Sequence, residues 1–322
     1  MIIDNLQAKL LCPICQNPLK ISEKTWQCEQ SHNFDVAKQG YVNLLPVQHK
    51  KSKNPGDTEQ AVLARQRFLN QGYYQAFCQQ LTEFSQPVIA DFVKKQPTTS
   101  LCWLDIGCGE GYYSEHLFKN AQNLLANTPS SQQCISQQYI ALDISKSAVI
   151  HTAKRLKPLN NLLKQSDKNS CCYSVVASAS QVPLADDSVM MLSSIFSPIL
   201  PQEFARLLTT GGFLLIGKPN VSHLVEMRQA IFERIDAHDS DKFIEQLAPS
   251  FTLIAKQQVR YPMDLTKEAL TDLLAMTPYA YRAKPEKIQQ LLATFDPANQ
   301  AEQHKSTVRI TVDFVMYLFR KN

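Results

Sequence analysis

"WLDIGCGEGYYS", residues Trp103–Ser114, decides how the chain is to be read. An apolar run ends in Asp105, glycines follow at Gly107, Gly109 and Gly111, and a helix-forming stretch begins. Glycines there let the backbone turn sharply and approach a ligand closely. A strand, a glycine loop and a helix in that order form the nucleotide-binding corner of an open α/β sheet. The dinucleotide fingerprint G-x-G-x-x-G is the obvious rival, but here the third glycine comes one position early. Asp105 before the loop and Glu110 within it would also repel a pyrophosphate. They suit a ligand carrying an ammonium and a sulfonium, which is S-adenosylmethionine. Asp143, at the end of "YIALDIS", stands where such folds place the carboxylate that holds ribose hydroxyls. Read locally, it could instead cap the next helix, although Ser145 could do that too.

Outward from the loop, strands and helices alternate. "SLCWLDIG", "YIALDIS", "CCYSVVAS" and "SVMMLSSIF" read as buried strands, and "GGFLLIGKP" as a strand entered by a Gly-Gly turn. "YYSEHLFKNA", "KSAVIHTAKRLK" and "PQEFARLLTT" read as the helices between them. This alternation predicts a doubly wound, Rossmann-like α/β domain with helices on both faces. "NTPSSQQCISQQ" and "NNLLKQSDKNS" read as polar surface insertions. "FTLIAKQQVRYPM" and "RITVDFVMYLFRKN" predict antiparallel strands around the helical "KEALTDLLAM". Before the loop, Thr58 to about Gln96 has helical periodicity, broken by Gly72 and Pro87.

The N-terminal stretch has a different chemistry. "CPICQNPLKISEKTWQCEQSH", Cys12 to His32, has the spacing C-x2-C-x12-C-x3-H. A C-x-x-C knuckle brings two thiolates to one point, and Cys28 with His32 completes a tetrahedral zinc set. A disulfide between Cys12 and Cys15 would leave Cys28 unexplained, and no thioredoxin-like unit surrounds the pair. Four protein ligands leave no open position, so the zinc is structural. "LKISEKTWQC" reads as two short strands around "SEK", giving a zinc ribbon. Its forty-odd residues are too few for a core of their own, and a metal supplies the staple.

The 322 residues, 44% of them hydrophobic, suit one large and one small domain: a zinc ribbon over 1–45, then linker helices and a cofactor domain over 46–322. Asp4 interrupts any signal-peptide pattern, and no apolar run is long enough to span a membrane. Nine cysteines with no paired pattern outside the zinc site point to a reducing cytoplasm. The net charge of +4 permits an anionic partner without demanding one. "NFDVAKQGYVNLLPVQHKKSKNPGDTEQ" reads as an ordered linker. Its Lys50, Lys51 and Lys53 are either a solvated run or a phosphate-contacting arm.

Taken together, the ribbon, "FDVAKQGYVNLLPVQHKKSKNPGD", "RFLNQGYYQAF", "LDIGCGEGYYS", "SHLVEM" and "MTPYAYRAKPE" resemble the bacterial 23S rRNA (guanine-N1)-methyltransferases of the RlmA type. The likeness covers most of the chain, and the long linker phrase is far more diagnostic than the glycine loop. It implies a class I S-adenosylmethionine-dependent methyltransferase with a zinc-binding N-terminal domain that helps recognise rRNA. The substrate it implies is a guanine in a hairpin loop of 23S rRNA. It further implies zinc ligation by Cys12, Cys15, Cys28 and His32, cofactor contacts at Tyr74, Gly109, Glu110 and His223, and a homodimer. From the residues alone Tyr74 would be a core aromatic and His223 a helix-start residue. Asp105, Gly107, Gly111 and Asp143 join the cofactor set from the loop pattern. Lys50, Lys51, Lys53, Arg282 and Lys284, with Tyr279 and Tyr281, are the candidates for RNA contact.

One departure touches the expected target-base pocket: Phe196–Pro198 reads "FSP" where the family has aromatic-Ala-Pro. Phe196 is a candidate to pack a flipped guanine, or else a core aromatic. No residue presents itself as the catalytic base; Asp187 and Glu203 lie near the relevant strands as ordinary surface acids. The rival functions are the same transfer to tRNA or protein, and a non-catalytic zinc-ribbon RNA-binding protein.

Overall fold

The computed structural model describes residues 10–49, 52–95, 100–127, 136–166, 170–234, 241–295 and 307–322. The N-terminal part carries β1 (Lys20–Ile21), β2 (Thr25–Gln27), β3 (Asn33–Asp35) and β4 (Tyr41–Asn43). Helices α1 (Glu59–Asn70) and α2 (Gln75–Lys95) lead into β5 (Leu101–Ile106), α3 (Tyr112–Ala126), β6 (Gln137–Asp143), α4 (Lys146–Ser166) and β7 (Cys171–Val176). Next come β8 (Val189–Ile195), α5 (Pro201–Leu207), β9 (Leu208–Pro219), α6 (Val225–Ile231) and α7 (Lys242–Leu247). The chain closes with β10 (Phe251–Leu265), α8 (Lys267–Met276), α9 (Tyr279–Arg282), α10 (Pro285–Ala293) and β11 (Val308–Lys321).

Strands β1–β3 form a small antiparallel sheet, while the others form one eight-stranded sheet in the order β10-β11-β9-β8-β5-β6-β7-β4. From β4 to β9 neighbours are parallel, and β11 and β10 run antiparallel. The chain winds outward from β5 through β6 to β7, then crosses back to β8. The ends of β5 and β8 therefore flank the switch point, where open α/β sheets bind ligands. This is the expected Rossmann-like methyltransferase architecture.

Alternation along β5 builds both faces at once. Leu101 and Trp103 join the core beneath α2, α3 and α4, whereas Cys102, Leu104 and Ile106 join the core on the other face. That second core also contains Leu10, Cys12, Leu19, Trp26 and Cys28, so the ribbon's interior is continuous with the sheet's. Trp26 meets Tyr173 edge-on at 5.1 Å, and Leu11 N–H donates to Pro183 O at 2.9 Å.

Several local expectations change in the folded chain. The linker is partly sheet: β4 pairs with β7 because Tyr41 and Val42, with Leu44 and Leu45 just beyond, are buried there. Pro87 lies inside α2 instead of ending it. A proline costs a helix about 3 kcal/mol, and burial of Phe77, Leu81, Val88 and Ile89 offsets it. "NNLLK" continues α4, with Leu159 and Leu163 buried, and "QQ" at 137–138 begins β6. The Gly-Gly pair lies within β9 at an irregularity where pairing to β8 jumps from Val189↔Leu208 to Met191↔Phe213.

Candidate active site and metal centre

The glycine loop turns as its composition demands. Gly107, Gly109 and Gly111 have φ of +72°, +58° and +85°, a region that disfavours side chains. A Cβ on Gly107 would lie 2.4 Å from the Ser197 Cβ, which leaves no room for one. Gly107 and Cys108 N–H both donate to Leu142 O, at 2.8 and 3.0 Å, tying the loop to the end of β6.

Three carboxylates converge on this loop. Asp105 faces α3 and is buried, accepting from Ser114 Oγ at 2.5 Å and Ser193 Oγ at 2.6 Å. Burial pushes its carboxyl up to about 6, against the lowering effect of those two hydrogen bonds. Asp143 accepts from Gly109 N–H at 3.0 Å and Ser145 N–H at 2.8 Å, so it braces the loop and the start of α4 together. Glu110 is buried, its Oε1 has no hydrogen-bond partner, and burial raises its pKa although Arg65 opposes this. The Tyr113 hydroxyl is likewise buried and unpartnered. These orphaned polar atoms beside a loop of positive-φ glycines fit a polar ligand such as S-adenosylmethionine.

Tyr74 and His223 meet on the same side of the sheet. Tyr74 is in the turn between α1 and α2, with ring centroids 4.9 Å from Phe314 and 6.1 Å from His223. His223 precedes α6, packs 4.3 Å from Phe314, and accepts at Nδ1 from Asp313 N–H at 3.3 Å. Burial lowers its pKa to about 3, so the imidazole is neutral and carries its proton on Nε2. Phe77 and Tyr113, 5.8 Å apart, bridge this pair to the loop.

Phe196 forms the rim of that aromatic cluster. It is 37% exposed and holds φ at +56°, uncommon for so bulky a residue. Its ring lies 4.7 Å from Phe314 and 5.6 Å from Tyr113. Ser197 donates to Ile106 O at 2.8 Å, which leaves Ser194 to donate to Ser197 at 2.7 Å. The serine of "FSP" is thus fully accommodated. The two acids near these strands are otherwise engaged. Glu203 accepts from Val182 N–H and pairs with Arg206, while Asp187 pairs with Lys321.

Cys12, Cys15, Cys28 and His32 bring their ligand atoms within 4.8 Å of one another. Cys12 Sγ to His32 Nδ1 and Cys15 Sγ to Cys28 Sγ are both 3.6 Å, and Cys28 Sγ to His32 Nδ1 is 3.3 Å. Tetrahedral zinc with bonds near 2.0–2.3 Å separates its ligands by about 3.3–3.8 Å, so this donor set fits the ion.

Among the RNA candidates, Lys53 is exposed, whereas Lys50 and Lys51 lie outside the described residues. Tyr281 is exposed, Tyr279 packs on Phe232, and Lys284 pairs with Glu233 at 2.9 Å. Arg65 and Phe314 escaped sequence reasoning. Neither sits in a motif, and only tertiary packing brings them to the site.

Residues 10–53 match the family model described as "RlmA, N-terminal", a zinc ribbon. The chain is 31% identical over 294 residues to the 23S rRNA (guanine(748)-N(1))-methyltransferase of Streptomyces fradiae, covering 90% of this chain and 91% of that one. It is 27% identical over 300 residues to a Micromonospora griseorubida protein provisionally named 23S rRNA (guanine-N(1)-)-methyltransferase, covering 90% and 92%. A Bacillus subtilis (strain 168) protein with the same provisional assignment is 27% identical over 288 residues, covering 87% and 89%.

Proposed function

Because the chain belongs to the 23S rRNA (guanine-N1)-methyltransferase family, we propose that it transfers a methyl group from S-adenosylmethionine to N1 of a guanine in a hairpin loop of 23S rRNA. The observation that carries this reading is the span of the 31% identity, which runs through 90% of the chain, beside the separate match of residues 10–53 to the zinc-ribbon model. The cofactor supplies an activated methyl on a sulfonium. The protein's own task is mostly positioning. Gly107, Gly109 and Gly111 admit the ligand to the backbone, and Asp105 holds the loop from beneath through Ser114. Glu110, Asp143, Tyr74 and His223 are the side chains this reading assigns to the cofactor.

Phe196 offers a ring face to a guanine drawn out of its loop, next to the switch point. The strain at Phe196 supports this role, since uncommon backbone conformations persist where surrounding structure over-determines them. The ribbon, with zinc on Cys12, Cys15, Cys28 and His32, is the second RNA contact, with exposed Lys53 beyond it. The homodimer implied by the resemblance and a cytoplasmic site of action are parts of the same proposal. Among the described residues no helix is long and apolar enough to cross a membrane.

The test is transfer of labelled methyl from S-adenosylmethionine to unmodified 23S rRNA, mapped by primer extension. An N1 methyl blocks pairing, so one new stop at a hairpin-loop guanine is expected. Transfer to tRNA or protein with none to 23S rRNA would overturn the reading.

A further inference from the structure

Above the glycine loop sits a cation with no part in the family resemblance. Thr58 caps α1 by accepting from Ala61 N–H at 3.2 Å, and Arg65 follows two turns later. A Cβ on Gly109 would come within 3.3 Å of Arg65 Nη1, so the guanidinium lies directly on the loop. Arg65 Nη2 bonds to Asp57, whose carbonyl accepts from Ser145 Oγ at 2.9 Å. The anchor of the guanidinium is therefore itself tied to the turn that follows Asp143. Burial weighs against its charge, and Asp57, Glu110 and Asp143 together outweigh that. Arg155, a second cation near the loop, is held through its Nη atoms by Glu115 at 3.1 Å and Asn70 at 2.8 Å, while its buried Nε has no partner. Unlike Arg65, it has no contact that places it on Gly109.

The charges around Arg65 mirror those of the cofactor. S-adenosylmethionine carries two positive centres, the sulfonium and the ammonium, and one carboxylate. Around the loop lie several carboxylates, with the Arg65 guanidinium resting on Gly109, and Glu110 Oε1 is buried with no partner. A guanidinium fork matches a carboxylate better than any other side chain does, and one bond to Asp57 leaves further donors in the fork. We propose that Arg65 receives the carboxylate of the cofactor's amino-acid end, with Asp57 holding the guanidinium over the loop. This rests on the reading of the site as one for S-adenosylmethionine.

The test uses two ligands that differ at that end. S-adenosylhomocysteine keeps the amino-acid carboxylate, and 5′-methylthioadenosine lacks the whole amino-acid moiety. Calorimetric titration of the full chain with each ligand should show that Arg65→Gln weakens S-adenosylhomocysteine about 10- to 100-fold. Methylthioadenosine should change by less than about 2-fold. Arg65→Lys, which keeps the charge and loses the fork, should fall between parent and Gln for the first ligand only. Its contrast between the two ligands decides the matter if the Gln variant does not fold. Equal weakening of both ligands, or of neither, would overturn the assignment while leaving the cofactor reading intact. A parent chain that binds neither ligand would overturn both.

Discussion

At the scale of single residues, Asp105 shows a motif carboxylate held by the protein's own hydroxyls. Both its oxygens accept serine hydroxyls from α3 and β8. Burial holds its carboxyl at about 6, above the ordinary 3.8. The folded state therefore binds that proton more tightly than the unfolded chain. Its ionised form weighs against the fold above pH 6, and the burden lifts as pH falls towards the unfolded value. Asp105→Asn removes this titration, so the variant should gain on the parent by on the order of 1 kcal/mol between about pH 5 and pH 8. Urea melts of both proteins at the two pH values would show it, and a constant gap would contradict it. Gly107→Ala is expected to be far more severe. A Cβ there meets Ser197 at 2.4 Å with φ at +72°, so binding of S-adenosylhomocysteine should disappear. Titration of a folded Gly107→Ala chain with undiminished affinity would refute that account of the loop.

At the scale of elements, an ion pair joins α1 to α8 beside their apolar packing. Arg67 on α1 donates to Asp272 on α8 through Nε at 3.0 Å and Nη2 at 2.5 Å. The Asp272 side chain is only 10% exposed, so truncating its partner strands a shielded carboxylate. Arg67→Ala should cost about 1–2 kcal/mol, and adding Asp272→Asn should recover part of it. Denaturant melts of the single and double variants test this, with simple additivity as the contrary result. The helices and strands themselves were largely legible, because periods of 3.6 and 2 are local properties. Pro87 and β4 were not. Whether a proline is tolerated depends on how much apolar surface the helix buries on its neighbours. Whether three residues form a strand depends on an unpaired edge of β7 being within reach.

At the scale of the whole molecule, the ribbon is no loose appendage. Leu10, Leu19 and Trp26 share a core with Leu104 and Ile106 of the large sheet and Phe204 of α5. Removing zinc should therefore lower the stability of the catalytic part as well as unravel the ribbon. The chain has two tryptophans, so Trp26→Phe leaves Trp103, buried in β5, as the single reporter. Its fluorescence melt should shift to lower temperature after chelation, and to the same extent with Cys28→Ser. An unmoved Trp103 transition would mean that the two parts fold independently.

The zinc set, the glycine loop, the strand-end acids and the class of fold can all be read from the order of residues. Each is written in short spacings that obey local geometry: a C-x-x-C knuckle, alternate glycines, an apolar run closed by a carboxylate. It takes the folded chain to bring Asp105 between Ser114 and Ser193, to hold Phe196 at positive φ, and to rest Arg65 on Gly109. Those facts depend on which surfaces meet across the switch point and beneath α1. Such meetings join residues far apart in the chain, and no local spacing encodes them.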